Sequence, residues 1–360
     1  MGGGEAKDQV LLTLPFPEPK DALSSFRKKH PDIQFTYYDT TQHSQTPVPA
    51  SLFAKVTILV TLGTLPAKPS DAPKLKWIQA FSAGSDRYPS QPIYRDTDVI
   101  LTTMSGIHGP QIAEWVVMTT LVTNHKYKQL YELQKQHKWG KTGVQDDYHN
   151  VSDLVGQRLG ILGYGSIGRQ VARMGKAAGM EVIAYTATPK DTPESKKDHG
   201  FIVPGTGDPE GEFPKEWYSG LDKKNLRNFL AQDLDVVMVS VPLTKDTEKM
   251  LSDEEFKVLG ANGKPPLFIN IARGKIVNTD ALVKALKEDS IRAAALDVTD
   301  PEPLPEDSEL WDMKNVIVTP HISSVGKAYA SRAYTLFEEN LQRWEKGEKL
   351  LNTVRKGRGY

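Results

Sequence analysis

Apolar residues in this chain come in short runs separated by amphipathic stretches, and the alternation continues through most of the sequence. In the first third, QVLLTL, IQFTYY, KVTILVT and LKWIQAF predict strands, and KDALSSFRKKH predicts a helix between the first two. Further on, RLGILG, EVIAY, DVVMVSV, PLFINI, AAALDV and VIVTP predict strands. SIGRQVARMGKAAG, SDEEFKVLG and TDALVKALKED predict the helices between them. Ser252 and Glu255 form a capping-box pattern at the head of the second of these helices. KAYASRAYTLFEENLQRWEKG predicts one more helix near the end. Short strands alternating with helices imply a parallel α/β architecture.

Two stretches break the rhythm. From Pro110 to about Gln134, a single long helix is predicted, with proline in its first turn. Its Ile112, Trp115, Val116, Val117, Met118, Leu121 and Val122 cover more than one face, so part of it is expected to pack on another domain or subunit. The Pro-, Gly- and acid-rich run from Val203 to Glu216 reads as a surface excursion rather than core. The wider segment from Lys190 to Asn228 is longer than the usual connection, and no chemical role follows from its residues.

Length and composition narrow the classes. A chain of 360 residues has room for about two domains of ~150 residues. Lysine plus arginine equals aspartate plus glutamate, 45 against 45, so no global field favours nucleic acid or an anionic membrane. The absence of cysteine excludes disulfides, thiolate metal sites and cysteine nucleophiles, and no metal site is expected. Gly2 begins a myristoylation pattern, but Ala6 stands where that pattern needs Ser or Thr. The ending RKGRGY is not an organelle address, and no apolar run reaches the ~18 residues of a membrane span. A cytoplasmic protein is the expectation.

The stretch GYGSIG places Gly163, Gly165 and Gly168 between an apolar strand and a helix. The first glycine permits a tight turn, the second lets backbone approach a pyrophosphate, and the third lets helix and strand pack. The amides of Ser166 and Ile167 would then face the phosphates at the helix N-terminus. An acidic residue roughly 20 positions on usually holds the ribose 2′-hydroxyl of NAD. Here that place reads Thr186-Ala187-Thr188, and Glu181 comes too early to serve. Without the carboxylate a 2′-phosphate meets no repulsion. Thr186, Thr188 and Lys190 offer donors and charge, so NADP is the expected cofactor, with NAD possible.

Three further stretches, NIARGKIV, ALDVTDPEPLP and VIVTPHISS, place Arg273, Asp297, Glu302 and His321 at the carboxyl ends of strands, facing the ligand crevice of an open α/β sheet. Such a set suits reduction of a 2-oxo acid. The arginine fork grips the carboxylate and polarises the carbonyl, the histidine gives a proton, and a carboxylate stabilises the imidazolium. Each residue also has an ordinary alternative: a surface ion pair for Arg273, a turn carboxylate for Glu302, a structural role for His321. Asp300 competes with Glu302 as the histidine's partner, and His108 either touches substrate or bonds backbone.

These stretches, with the glycine motif, resemble the D-isomer-specific 2-hydroxyacid dehydrogenase family over nearly the whole chain. LKWIQAFSAGSD resembles its substrate loop, SGIHGPQIAEWV its interdomain helix, DLVGQRLGILGYGSIG its cofactor entry and VSVPLTKDT its next nucleotide-facing turn. IARG, ALDVTDPEP and TPHIS resemble its three catalytic boxes in order. The resemblance implies two doubly wound Rossmann-like domains, the cofactor domain (105–325) inserted into a flavodoxin-like substrate domain (1–104, with a returning helix in 326–360). It implies that Arg273 binds substrate, that Glu302 pairs with His321 as acid/base, and that Asp297 holds the nicotinamide carboxamide. The amides of Ala83 and Gly84 would grip the substrate carboxylate. Pro242, Thr247, Ile271, Ala272 and Ser324 would complete the cofactor contacts. The partners implied are a small 2-oxo or 2-hydroxy acid and a second copy, docked through helix 110–134, with no nucleic acid and no membrane. Phe81, Met104 and Tyr329 are expected pocket walls.

Departures from the family pattern limit the branch. Formate dehydrogenases carry glutamine where Glu302 stands, and the chain is expected to lack the appended regulatory domain of many phosphoglycerate dehydrogenases. Similar proteins also act as dinucleotide-binding transcriptional corepressors, an alternative that the catalytic trio does not exclude.

Overall fold

The computed structural model describes residues 7–41, 48–139 and 150–356. Gly2, Ala6 and the last residues of RKGRGY lie outside them. The chain divides into two compact units, residues 1–107 with 327–360, and residues 108–326.

The first unit carries a five-stranded parallel sheet: β1 (Asp8–Leu14), β2 (Ile33–Asp39), β3 (Ile58–Thr61), β4 (Trp77–Ala80) and β5 (Ile100–Thr102), in the order β2-β1-β3-β4-β5. That is the flavodoxin-like order. Strands β3 and β4 are buried along their whole length and β1 at every residue but Gln9, which is why these strands read as mostly apolar runs. The helix Tyr329–Glu345 belongs to this unit through a polar lock as well as apolar packing. Phe337 packs on Trp77 at 5.7 Å. Asn340, fully buried, donates to Gln79 Oε1 (3.1 Å), which also accepts from Thr102 Oγ1 (2.8 Å). Removing one member would strand a buried polar group, at a cost of about 1–3 kcal/mol.

The second unit carries seven parallel strands: β6 (Arg158–Leu162), β7 (Glu181–Thr186), β8 (Glu216–Ser219), β9 (Val236–Val239), β10 (Leu267–Asn270), β11 (Ala293–Leu296) and β12 (Val316–Val318). Their order is β12-β11-β10-β9-β6-β7-β8, so the sheet reverses direction of winding between β6 and β9. Ligands of open α/β sheets bind outside the strand ends at such a switch point. Two parallel sheets of these orders are the two Rossmann-like folds expected from the sequence.

Three sequence readings need correction. Strands β5 and β8 were not anticipated; they are three and four residues long and lie at sheet edges, where a weak pattern suffices. The long helix is two, Gly109–Asn124 and Tyr127–Lys135, broken where Lys126 takes a left-handed φ of 55°. Asn124 Oδ1 accepts from Arg292 at 2.7 Å, and Lys128 Nζ donates to the Val316 carbonyl at 2.5 Å, so both sides of the break are tied to strand ends. Finally, the run 203–216 is no mere surface excursion. Asp208 is 3% exposed, and Phe213 packs against the core of the unit.

Candidate active site

The glycine turn has the shape that its sequence requires. Gly163, after β6, has φ 106°, and a Cβ there would lie 2.7 Å from the Ser240 backbone. At Gly168 a Cβ would collide with the Gly163 carbonyl, so the third glycine seats the helix Ser166–Ala177 against the turn. Gly165 differs: a Cβ would meet nothing within 4 Å. Packing therefore explains the first and third glycines, whereas the second borders open space at a helix N-terminus with no side-chain cap. The amides of Ser166 and Ile167, at the start of that helix beside the opening, fit a pyrophosphate. The residues present fit a dinucleotide.

At the end of β7, Thr186 Oγ1 donates to the Thr188 carbonyl (2.8 Å), and Lys190 Nζ donates to the Ser195 carbonyl (2.6 Å). Burial, with the nearby Arg169 charge, pushes the Lys190 pKa down from its usual value. No carboxylate follows the strand directly. After β9, Thr247 organises the turn, its hydroxyl donating to the Pro242 carbonyl (2.6 Å) and accepting from the Thr244 amide (2.8 Å).

The three downstream boxes follow the neighbouring parallel strands β10, β11 and β12, and so emerge at one edge of the sheet. After β10, Ile271 and Ala272 are buried. Asn270 shapes the turn there, its Oδ1 accepting from the Ala272 amide and its Nδ2 donating to the Arg273 carbonyl, both at 3.1 Å. A Cβ at Gly274 would run into the Thr299 carbonyl, which presses the Arg273 turn against the box after β11. After β12, His321 stands in left-handed backbone, φ 54°. Its Nδ1 lies 2.6 Å from Glu302 Oε1 with both side chains about 40% exposed. A carboxylate on Nδ1 makes that nitrogen the donor and leaves Nε2 for a substrate. The partner is thus Glu302; the Asp300 carbonyl instead accepts from Thr279 Oγ1 at 2.7 Å.

Asp297, 1% exposed, is committed to the same turn. Its oxygens accept from Thr319 Oγ1, the Ile322 amide, and the amide and hydroxyl of Ser323, while its carbonyl accepts from the His321 amide. The geometry gives it the shaping of the histidine turn, a task the resemblance did not imply. Ser324 presents its carbonyl to Gln111 Nε2 at 2.9 Å.

In the other unit, Ala83 and Gly84 follow β4 on a loop pinned by Ser82 Oγ, which donates to the Gly84 carbonyl at 3.0 Å. Phe81 and Met104 are fully buried, and Phe81 packs against Phe16, Tyr329 and Tyr334. They are core residues, a correction to their expected place as pocket walls. Tyr329 Oη donates to the Phe81 carbonyl at 2.7 Å. His108 is buried at the head of the helix Gly109–Asn124. Sequence reasoning missed Asn270 and Thr319, whose signal was an amide or hydroxyl at the close of an apolar strand, and Ser323, which lies beyond the strand and had no such signal.

Comparison with known proteins shows the family. The sequence model described as D-isomer specific 2-hydroxyacid dehydrogenase, NAD binding domain, matches residues 117–203 and 208–323. A glyoxylate reductase of Thermococcus gammatolerans is 31% identical over 283 residues, 77% of this chain and 75% of that protein. Among solved structures, an NADPH-dependent glyoxylate/hydroxypyruvate reductase of Sinorhizobium meliloti, in complex with NADP and sulfate, is 25% identical with a TM-score of 0.75. The match covers 98% of this chain and 100% of that one. A D-isomer specific 2-hydroxyacid dehydrogenase of Xanthobacter autotrophicus, in complex with NADPH and MES, is 26% identical with the same score, covering 98% and 99%. With its glycine turn, its paired histidine and glutamate and its two parallel sheets, this chain belongs to the D-isomer specific 2-hydroxyacid dehydrogenase family and is an NAD(P)-dependent oxidoreductase.

Proposed function

We propose that this enzyme reduces small 2-oxo acids, of the glyoxylate and hydroxypyruvate kind, to D-2-hydroxy acids and prefers NADPH. The observation that carries the reading is the His321–Glu302 contact of 2.6 Å, which joins the turn after β12 to the box after β11, the strand next to β10 and its Arg273 turn. Relatives acting on glyoxylate and hydroxypyruvate support the substrate class, and neighbours with NADP or NADPH bound support the cofactor.

The unit 108–326 would hold the dinucleotide through the amides of Ser166 and Ile167, the open side of Gly165 and the turn at Pro242–Thr247. Ile271, Ala272 and Ser324 would line the nicotinamide end. When bound, the nicotinamide supplies hydride to the carbonyl carbon. Arg273 presents its fork to the substrate carboxylate and carbonyl oxygen, stabilising the charge that develops there. The family resemblance also gives the amides of Ala83 and Gly84 a part in gripping a substrate carboxylate. His321 gives a proton from Nε2 to the carbonyl oxygen, and Glu302 stabilises the imidazolium before transfer. Asp297 acts by holding the His321 turn in its left-handed conformation. In the reverse direction neutral His321 takes the hydroxyl proton.

Reductase and dehydrogenase relatives do not favour the corepressor alternative. A cytosolic homodimer docked through the helix Gly109–Asn124 completes the proposal. Among the described residues, no helix is long and apolar enough to cross a membrane. The test is NADPH and NADH consumption by purified protein across a panel of 2-oxo acids. Turnover of glyoxylate or hydroxypyruvate with NADPH is expected. No turnover of any 2-oxo acid with either cofactor would overturn the reading.

A further inference from the structure

The segment after β7 is bound to the glycine turn more tightly than a connection between strands requires. Tyr164, inside the GYGSIG turn and 5% exposed, donates from its hydroxyl to Asp208 Oδ2 at 2.7 Å. Arg169, in the first turns of the cofactor helix and 3% exposed, lies over the Tyr164 ring at 5.1 Å. Its guanidinium donates to the carbonyls of Asp208 and Lys196, and approaches Asp198 Oδ2 at 3.6 Å. Gln170 and Arg173, on the same helix, bond the amide and carbonyl of Gly207. Asp208 in turn accepts from the Glu212 and Phe213 amides, so its carboxylate closes its own loop while anchoring it.

The segment therefore runs out from Thr186, through Lys190 and a short helix at Pro193–Lys196, and returns to be clipped beside the glycines. A buried arginine spent on two main-chain carbonyls fixes backbone, and the backbone it fixes carries the residues next to the adenosine ribose position. Lys190 depends on the same arrangement, since its ammonium is held by the carbonyl of Ser195, one residue before Lys196. Buried charge and buried carboxylate are retained only where they are fully paired, as both are here.

We propose that residues 190–213 are a strap whose attachment through Tyr164, Arg169 and Asp208 holds the loop after β7 in the shape that selects the phosphorylated dinucleotide. These three are positioning residues for cofactor choice. The inference rests on the NADPH reading above and adds what enforces it. The pyrophosphate is common to both dinucleotides and is met by the glycine-turn amides. The 2′-phosphate is met only by the loop that the strap holds. Loosening the strap should therefore weaken NADP⁺ and leave NAD⁺ nearly untouched.

The test is the dissociation constant of each oxidised dinucleotide for purified protein without substrate, by calorimetry. Wild type is compared with Tyr164→Phe, which deletes one hydroxyl and keeps the ring under Arg169, and with Asp208→Asn. Loss of one charge-assisted contact predicts about a tenfold or greater weakening of NADP⁺, against less than about threefold for NAD⁺. Hydrogen exchange at amides 187–197 should rise in Tyr164→Phe before any dinucleotide is added. A wild type that binds NAD⁺ as tightly as NADP⁺ would sink the cofactor reading itself. A wild type that prefers NADP⁺, with the ratio unchanged in Tyr164→Phe, would overturn the strap alone. Should Asp208→Asn fail to fold, Tyr164→Phe carries the test.

Discussion

His321 holds a left-handed conformation, which costs a non-glycine residue of order 1–3 kcal/mol and persists only where its surroundings impose it. Here Asp297 imposes it, through the Thr319, Ile322 and Ser323 contacts on either side. At this scale the proposed mechanism makes three distinguishable statements. His321→Ala removes the proton donor, and kcat should fall ~10²-fold or more while dinucleotide affinity is kept. Near-normal turnover would remove His321 from the chemistry. Glu302→Gln keeps the shape but not the charge that stabilises imidazolium. Reduction and oxidation should both lose about tenfold or more in kcat/KM, because the equilibrium constant ties the two directions together, while dinucleotide affinity is kept. Unchanged turnover would leave Glu302 a merely structural partner. Arg273→Lys keeps charge without the fork, so KM for the oxo acid should rise and kcat fall. An unchanged KM would move the carboxylate site to the Ala83–Gly84 loop.

At the scale of elements, the glycines of the turn separate folding from binding. Gly163→Ala places a Cβ against the Ser240 backbone at a positive φ, and should cost about 2–4 kcal/mol of stability from strain and overpacking together. Gly165→Ala points its methyl into open space. Its melting temperature should stay near wild type while dinucleotide affinity drops, as thermal unfolding and calorimetry would show. Equal destabilisation by the two substitutions would contradict the assignment of Gly165 to ligand rather than packing. The helix Asp253–Gly260 offers a second test. Glu255, 1% exposed, closes the capping box on the Ser252 amide and also pairs with Lys223 (3.1 Å) and Arg227 (2.9 Å). Those cations are half exposed, so Glu255→Ala should cost about 1–3 kcal/mol rather than the full penalty of a buried pair. Denaturant titration reads the difference.

For the whole molecule, the helix Gly109–Asn124 is apolar on more sides than its own unit covers. Ile112, Trp115 and Val116 are buried, whereas Met118 is 49% and Leu121 38% exposed. A groove of about 300 Å³ lined by Met118, Val122, Trp311 and Val318 runs beside them. Exposed apolar surface of this kind is where the proposed dimer would dock. Met118→Glu combined with Leu121→Lys should shift sedimentation velocity from dimer to monomer while the far-ultraviolet dichroism is retained. A wild type that sediments as a monomer would dismiss the dimer.

What the residues encode locally was legible in the sequence. Apolar runs of the inner strands, the glycine turn and the boxes at Arg273, Asp297 and His321 all depend on neighbours a few positions away, where side-chain period and backbone sterics act. The edge strands β5 and β8 escaped because pairing on one side asks for only a few residues of pattern. The break at Lys126 escaped because strand ends distant in sequence capture Asn124 and Lys128. Only the tertiary structure decided between Glu302 and Asp300, since both are carboxylates two residues apart and chain geometry alone brings one to 2.6 Å. It likewise turned an acidic, proline-rich run into a buried anchor. The Tyr164–Asp208 bond spans 44 residues, and no local pattern records which polar group another, that far along the chain, will meet.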